Sequence, residues 1–316
     1  MARSAWVLSS LVCALAAAQQ VPDPAAWGGT HAGQPVPEFV HGDECLFCHR
    51  NNIGPGWQKD AHGLTIRQVE DSPDLFGLLQ NEPKLKAFVT ETTHTLGSRN
   101  HIRYLRKDGY GKFDLSSFRA DLNKERKIEG WNGLDHPEWQ KGKFENRCAG
   151  CHSTGIDTET KTFTGVGIDC YTCHGVVDLN HSGDISLIFL SKKRRSDVLA
   201  ITSTCAQCHL RGGKSRSTGL PYPNNFVAGD NLFKDYEGNW DSLPANAGDR
   251  HVWINVRDVV LNGSDTTCLS CHRLHANSTD KHRRVLTGPI CLECHNAEGP
   301  KKAVKTYTVH SDLCEY

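Results

Sequence analysis

The sequence predicts a mainly α-helical protein with extensive loops and one small β-hairpin. Short helices are expected to carry or directly precede several Cys-x-x-Cys-His motifs, as in the segment from Ser196 toward Cys205. The hairpin is expected over residues 94–118, where apolar and polar residues alternate around Asp108-Gly109, a pair that favours tight turns. Few other segments show a regular period, so much of the remaining chain is expected to be loop.

The charge balance excludes one broad class of function. Lysine and arginine together number 36, and aspartate and glutamate also number 36. Proteins that bind nucleic acid through its phosphates need an excess of positive charge, which this chain of 316 residues does not have. We therefore expect no nucleic-acid partner.

The N-terminal segment has the features of a cleaved secretory signal. Arg3 precedes an apolar run of about a dozen residues, and small residues at 16–18 precede a polar stretch. The run is shorter than the ~20 apolar residues of a membrane-spanning helix. We predict a signal peptide over residues 1–18, a periplasmic or extracellular bacterial protein, and no transmembrane anchor after cleavage.

The cysteines form a repeated motif. Of 14 cysteines, Cys13 lies in the signal and Cys314 stands alone, which leaves 12 cysteines in six Cys-x-x-Cys pairs. Every pair is followed by histidine, although only 17 of the 316 residues are histidine. Zinc ribbons and disulfides both use paired cysteines, but neither requires the next residue to be histidine. These two interpretations therefore leave the six histidines unexplained.

Covalent attachment of c-type haem requires this arrangement. The two thiols bond to the vinyl groups of the porphyrin, and the adjacent histidine binds the iron as the proximal ligand. We therefore predict six covalently bound haem c groups. The attachment cysteines are Cys45, Cys48, Cys148, Cys151, Cys170, Cys173, Cys205, Cys208, Cys268, Cys271, Cys291 and Cys294. The proximal ligands are His49, His152, His174, His209, His272 and His295.

The second axial ligand of each iron is expected to be histidine or an open position. The only methionine is Met1, which leaves with the signal, so the His/Met ligation that raises haem potentials is excluded. Eleven other histidines remain, and low potentials are therefore expected. The candidate distal ligands are His62, His181, His275, His310, His94 and His251.

The order of these motifs resembles a known family. In sequence they are CLFCH, Trp57 and His62, CAGCHSTG, a Gly-Ile-Asp stretch into CYTCHG, His181, CAQCH followed by LPYPNNFVAGD, and finally CLSCHRLH and CLECH. This order resembles the multihaem cytochrome c family typified by the tetrahaem electron-transfer cytochrome of ammonia-oxidising bacteria. The resemblance implies a largely α-helical fold, stacked and perpendicular haem pairs, electron transfer, and distal roles for His62 and His181. Two extra motifs and a long insertion before Cys148 depart from the tetrahaem pattern.

The spacing of the motifs also favours a chain of haems. The start-to-start intervals are 103, 22, 35, 63 and 23 residues, so the second and third motifs form one close pair and the fifth and sixth another. A short tether limits the distance between two macrocycles. We expect one hexahaem domain over residues 19–316, with 19–190 and 191–316 as its lobes. Because the mean hydropathy is low, the macrocycles are expected to supply much of the core, and the chain is not expected to fold without them.

Two further features have open interpretations. The basic run at residues 192–195 is either a docking patch for an acidic partner or propionate, or a solvated helix start. Cys314 is either a free thiol or a site of intermolecular pairing.

The sequence favours an electron carrier that relays electrons between redox proteins or to a terminal acceptor. Such a protein needs no acid–base group, so no catalytic residue is predicted and an enzyme is not favoured. One alternative is an oxidoreductase that acts on a small nitrogen or sulfur compound at one open-sided haem. The other is a subunit that self-associates into a polymeric extracellular conductor, with His310 reaching a neighbouring subunit.

Overall fold

A computed structural model describes most of the chain between residues 42 and 275, together with two short segments beyond it. The described residues are 42–97, 100–157, 160–175, 177–190, 197–216, 226–270, 272, 274–275, 295–296 and 299–300. The predicted signal peptide, the basic run at 192–195, His310 and Cys314 lie outside these residues.

A seven-stranded antiparallel sheet is built from residues 66–140, between the first and second motifs. Its strands are β1 (Ile66–Gln68), β2 (His94–Leu96), β3 (His101–Lys107), β4 (Phe113–Ser116), β5 (Arg119–Leu122), β6 (Ile128–Asn132) and β7 (Trp139–Gln140). The order is β1-β2-β3-β4-β7, and β5 pairs with both β3 and β6. The expectation of a mainly α-helical fold with one small hairpin is therefore wrong.

The predicted hairpin is present at the centre of this sheet. Strands β3 and β4 pair with Leu105 opposite Leu115, and the backbone N–H of Asp108 donates to the carbonyl of Lys112 at 3.1 Å. Gly109 has a φ of 102°, a conformation that favours glycine. The other strands of the sheet are not predicted because they are only two to five residues long, too short for alternation to be recognised.

The sheet is covered on both faces. On one face Leu105, Phe113 and Leu115 pack against Phe144 and Ala149 from the region of the second motif. The opposite face has a separate cluster, which contains Leu75, Leu79, Leu85, Ile102, Tyr104, Phe118, Ala120 and Leu122. The alternation of Tyr104 and Leu105 between faces follows from the two-residue period of a strand.

Short helices carry the motifs, as the sequence predicts. The helices are α1 (Gly42–His49), α2 (Gly54–Trp57), α3 (Pro73–Gln80), α4 (Lys86–Val89), α5 (Lys143–Arg147), α6 (Ala149–His152), α7 (Cys170–His174), α8 (Val198–His209) and α9 (Ala247–Ile254). The first, third and fourth motifs lie in α1, α7 and α8, and the second follows α5 and ends in α6. The fifth begins in a 3₁₀ turn at Cys268–Ser270.

The remaining elements are small. Helix α9 continues as a π-helix (Asn255–Val260), and shorter 3₁₀ turns lie at Pro83–Leu85, Leu179–Ser182, Ile185–Leu187 and Leu232–Lys234. Three two-stranded ribbons pair β8 (Ser153–Asp157) with β9 (Thr162–Val166), β10 (Lys214–Ser215) with β11 (Tyr236–Glu237), and β12 (His295–Asn296) with β13 (Gly299–Pro300). Among the described helices, none has the length and apolar character needed to cross a membrane.

Candidate haem sites

Three pairs of histidine rings have the same distance between their ring centroids. His49 lies opposite His181, His62 opposite His209, and His174 opposite His275, with 6.0 Å between ring centroids in each pair. In every pair one histidine belongs to a Cys-x-x-Cys-His motif and the other is a candidate distal ligand.

This separation matches two imidazoles on opposite sides of one iron. A metal–imidazole nitrogen bond is about 2 Å long and the ring centroid lies about 1 Å further on, so two axial rings should be about 6 Å apart. Two axial nitrogens leave four positions around the iron, which the porphyrin nitrogens would supply. The three pairs therefore fit bis-histidine haem.

The second ring nitrogen of several ligands is held by an acceptor from the chain. Nδ1 of His174 donates to the carbonyl of Phe189 at 2.9 Å, and Nδ1 of His181 donates to the carbonyl of Asp178 at 2.7 Å. Each of these contacts places the proton on Nδ1 and leaves the lone pair on Nε2, where iron can bind.

Two further ligands have side-chain acceptors. Nδ1 of His62 lies 2.9 Å from the carboxylate Oδ1 of Asp60, and Nδ1 of His49 lies 3.3 Å from the amide oxygen of Asn52. These acceptors favour the same tautomer as the backbone carbonyls do. All four histidines are therefore arranged to present Nε2 to a metal.

Burial favours the neutral form of two motif histidines, His152 and His174. Desolvation lowers the pKa of His174, and the nearby His275 and His49 lower it further. Desolvation, assisted by the positive charge of Arg211, lowers the pKa of His152 to about 4. Neutral imidazole is the form that binds metals. The influence of His49 on His174 also indicates that the first and third motifs are neighbours.

The second motif differs from the others in its hydrogen bonds. Nδ1 of His152 is buried and has no hydrogen-bond partner among the described residues. A buried unpaired nitrogen is costly, which is consistent with a site completed by a bound group. Ala149 and the half-buried Cys148 of this motif pack against the sheet. The insertion before Cys148 thus shields one side of the second haem site.

Cysteines from motifs that are distant in sequence meet in the fold. A hydrogen-bonding contact between Cys45 and Cys170 lowers the pKa of Cys45. The thiol of Cys151 lies 3.9 Å from the carbonyl of Cys208. The first motif therefore contacts the third, and the second contacts the fourth.

The fourth motif also contacts the fifth. A hydrogen bond from Cys205 lowers the pKa of Cys268, and helix α8 packs against the 3₁₀ turn that begins at Cys268. The motif at the end of α8 therefore touches motifs on both sides.

The segment between the second and third motifs is a hairpin fixed by polar contacts. The hydroxyl of buried Thr154 lies 2.8 Å from that of Thr172 in α7 and accepts the backbone N–H of Asp169 at 3.0 Å. The Asp169 carboxylate in turn accepts the N–H of Gly42 at 3.0 Å, where a Cβ would meet Asp169 Oδ1 at 2.4 Å. The tether therefore links the second, third and first motifs.

The structure gives fewer contacts for the other predicted ligands. His94 lies in β2, with its ring 4.8 Å from that of Phe113, beside a cleft of about 490 Å³. Nε2 of His251 in α9 lies 3.5 Å from the amide of Asn255. The backbone N–H of His272 donates to the carbonyl of Cys268 at 2.9 Å. The distal roles of His94 and His251 remain predictions.

Part of the predicted set lies outside the described residues. Cys271, Cys291, Cys294 and His310 belong to this group, and only the backbone of His295 is described, in β12. The sixth haem site is therefore still a sequence prediction.

The residues that contact Nδ1 of the candidate ligands were not predicted from the sequence. Asp60, Asn52 and the carbonyl of Phe189 contact ligand nitrogens, yet none was singled out. For Asp60 there was a signal, since an acidic residue two positions before a candidate distal histidine can reach its ring. The carbonyl of Phe189 could not be predicted, because any residue provides a carbonyl.

A comparison with solved structures identifies a similar fold. No protein-family model matches the sequence, and no curated protein matches it either. The structure is similar to that of the outer cell wall cytochrome OcwA, with a TM-score of 0.51 and 19% identity over 82% of this chain and 68% of that one. This likeness shows that the two chains share a fold.

A second solved structure is also similar, an undecahaem cytochrome from the S-layer of Carboxydothermus ferrireducens. Its TM-score is 0.47, with 18% identity over 85% of this chain and 45% of that one.

Proposed function

We propose that this chain is an exported hexahaem c-type cytochrome that transfers electrons between redox partners. The observation that carries the proposal is the set of three histidine pairs, each with 6.0 Å between ring centroids. The fold shared with an outer cell wall cytochrome supports export and an extracellular or periplasmic setting.

The residues of the chain have distinct tasks in this proposal. The haem iron, when bound, supplies reversible one-electron chemistry. Cysteines of the motifs would hold each macrocycle, and the paired histidines would bind its iron and so keep substrate away from it. Carbonyl and carboxylate acceptors on Nδ1 orient the rings and set their basicity. No acid–base residue is required.

Contacts between motifs support a path for the electrons. Cysteines of the first and third motifs meet, and those of the fourth meet the second and the fifth. We propose that these contacts would hold neighbouring haems close enough to exchange electrons. We also propose that the chain is related to the tetrahaem cytochromes of ammonia-oxidising bacteria, because of the order of its motifs.

The test is electron paramagnetic resonance of the oxidised holoprotein and of ligand variants. His62→Ala, His181→Ala and His275→Ala should each convert about one low-spin haem to a high-spin form, because one axial nitrogen is lost. The control is His101→Ala, whose ring is exposed and bonded to Asp121, and it should leave the spectrum unchanged. Haem content, measured separately, identifies variants that fail to assemble.

The wild-type spectrum separates a carrier from an enzyme. Low-spin signals that account for all haems support the electron carrier, and electrode-driven oxidation and reduction of the holoprotein should then be reversible. A high-spin signal of about one haem equivalent in the wild type would instead favour an oxidoreductase with one open iron. If all three ligand variants keep every low-spin signal, the proposed ligation is wrong.

A further inference from the structure

Asp60 makes two contacts with one candidate ligand. Its carboxylate Oδ1 accepts the backbone N–H of His62 at 2.8 Å and lies 2.9 Å from Nδ1 of the same residue. The Asp60 side chain is 3% exposed, so water screens its charge poorly. The carboxylate therefore both fixes the orientation of the ring and exerts its charge on it.

The acceptors at the other defined ligands are neutral. His174 and His181 donate to backbone carbonyls, and His49 contacts the amide oxygen of Asn52. Among the four histidines whose Nδ1 contact is defined, His62 is thus distinguished by an anionic acceptor. A carboxylate acceptor makes an imidazole a stronger electron donor than an amide or peptide carbonyl does.

We propose that Asp60 is a positioning residue that lowers the reduction potential of the haem between His62 and His209. The proposal rests on the function proposed above. Reduction adds one electron and removes one positive charge from the iron, so a buried anion favours the ferric state.

The proposed change of potential would occur where several motifs meet. The fourth motif, which supplies His209, contacts the second and fifth motifs. Asp60 would thereby favour the oxidised state of a haem held at this junction.

The test is Asp60→Asn in the holoprotein, with each haem followed by redox titration and electron paramagnetic resonance. Asparagine has the same shape and can still accept a hydrogen bond through Oδ1. We expect the midpoint potential of one haem to shift upward and the number of low-spin haems to stay unchanged. The His62→Met variant identifies this haem, since methionine ligation changes its spectrum and raises its potential.

Asp178→Asn is the matched control. The Asp178 side chain caps the N–H of Asn180 at 2.7 Å, whereas its backbone carbonyl, which the substitution retains, accepts Nδ1 of His181. All potentials should stay at their wild-type values in this variant.

The outcomes distinguish the inference from the function on which it rests. Unchanged midpoints in Asp60→Asn, or loss of a low-spin haem with no shift at any other, would overturn a role in setting potential and leave only a structural one. If His62→Met changes neither spectrum nor potentials, His62 binds no iron and the proposed ligation itself fails.

Discussion

At the residue scale, hydrogen bonds around the motifs determine which histidine nitrogen remains available to bind a metal. Nδ1 of His174 and His181 is held by backbone carbonyls, so Nε2 is the nitrogen left for a metal. The Thr154 hydroxyl likewise holds the start of α7 through Asp169. Small polar contacts therefore fix the positions of groups whose chemistry depends on orientation.

Thr154→Val should destabilise the holoprotein by about 1–3 kcal/mol, because the buried N–H of Asp169 loses its acceptor. The Thr154 hydroxyl is also within 2.8 Å of the carbonyl of Gly167, which would lose its donor. Valine keeps the size of the side chain, so the loss reports the hydrogen bonds. Urea unfolding followed by circular dichroism measures the change.

Thr164→Val on the facing strand is the control for this prediction. The Thr164 side chain is exposed, although its hydroxyl donates to the carbonyl of Gly155 at 3.2 Å. Its loss should change the free energy of unfolding by no more than about 0.5 kcal/mol. Equal effects of the two substitutions would contradict the structural role assigned to Thr154.

At the element scale, the sheet is the main departure from the predicted fold. Several of its strands are only two to four residues long, and Ile66 pairs with Leu96 across 30 positions of sequence. Such pairing depends on contacts that a local pattern does not contain. The central hairpin was predictable because its turn is local and its dipeptide Asp108-Gly109 is diagnostic.

Phe113→Ala should destabilise the junction of the sheet with the second motif by about 3–5 kcal/mol, as is typical for removal of a buried aromatic ring. Phe113 is 2% exposed, and its ring centroid lies 5.3 Å from that of Phe144 and 5.2 Å from that of Phe163. Thermal unfolding of the holoprotein measures the effect.

The control in the same hairpin is Tyr110→Ala. Tyr110 is 77% exposed, so its removal should leave the unfolding free energy within about 0.5 kcal/mol of the wild type. A loss at Tyr110 as large as that at Phe113 would show that the exposed ring has a packing partner.

At the scale of the whole molecule, the motif helices and the sheet differ in what stabilises them. Helix α1 has eight residues and α7 has five, with few buried side chains in either. The sheet has buried apolar clusters on both faces. Bound macrocycles are therefore needed more by the motif helices than by the sheet.

A chain produced without haem attachment should show this difference in hydrogen exchange. The backbone amides of α1 and α7 should exchange rapidly, because isolated helices of this length are unstable in water. Amides of β3 and β4 should keep part of their protection through the sheet's own core. The holoprotein is the reference, and α7 as protected without haem as with it would contradict the prediction.

The sequence by itself predicts the chemistry proposed for this protein, because haem attachment uses residues that are adjacent in the chain. Cys170, Cys173 and His174 can be recognised without any tertiary structure. The candidates His62, His181 and His275 could also be proposed from sequence, since methionine ligation was excluded and few histidines remained. Their partners could not, because ring pairing joins residues as far apart as His49 and His181.

Only the tertiary structure decided the sheet, the contacts between motifs and the role of Asp60. Cys45 contacts Cys170, and Cys151 contacts Cys208, so the first motif lies beside the third and the second beside the fourth. In the sequence, by contrast, the closely spaced motifs are the second and third, and the fifth and sixth. Strand pairing and thiol contacts depend on how distant segments pack, and that packing follows from the sum of many weak contacts. A local motif records which atoms can react, whereas the fold determines which of them are neighbours.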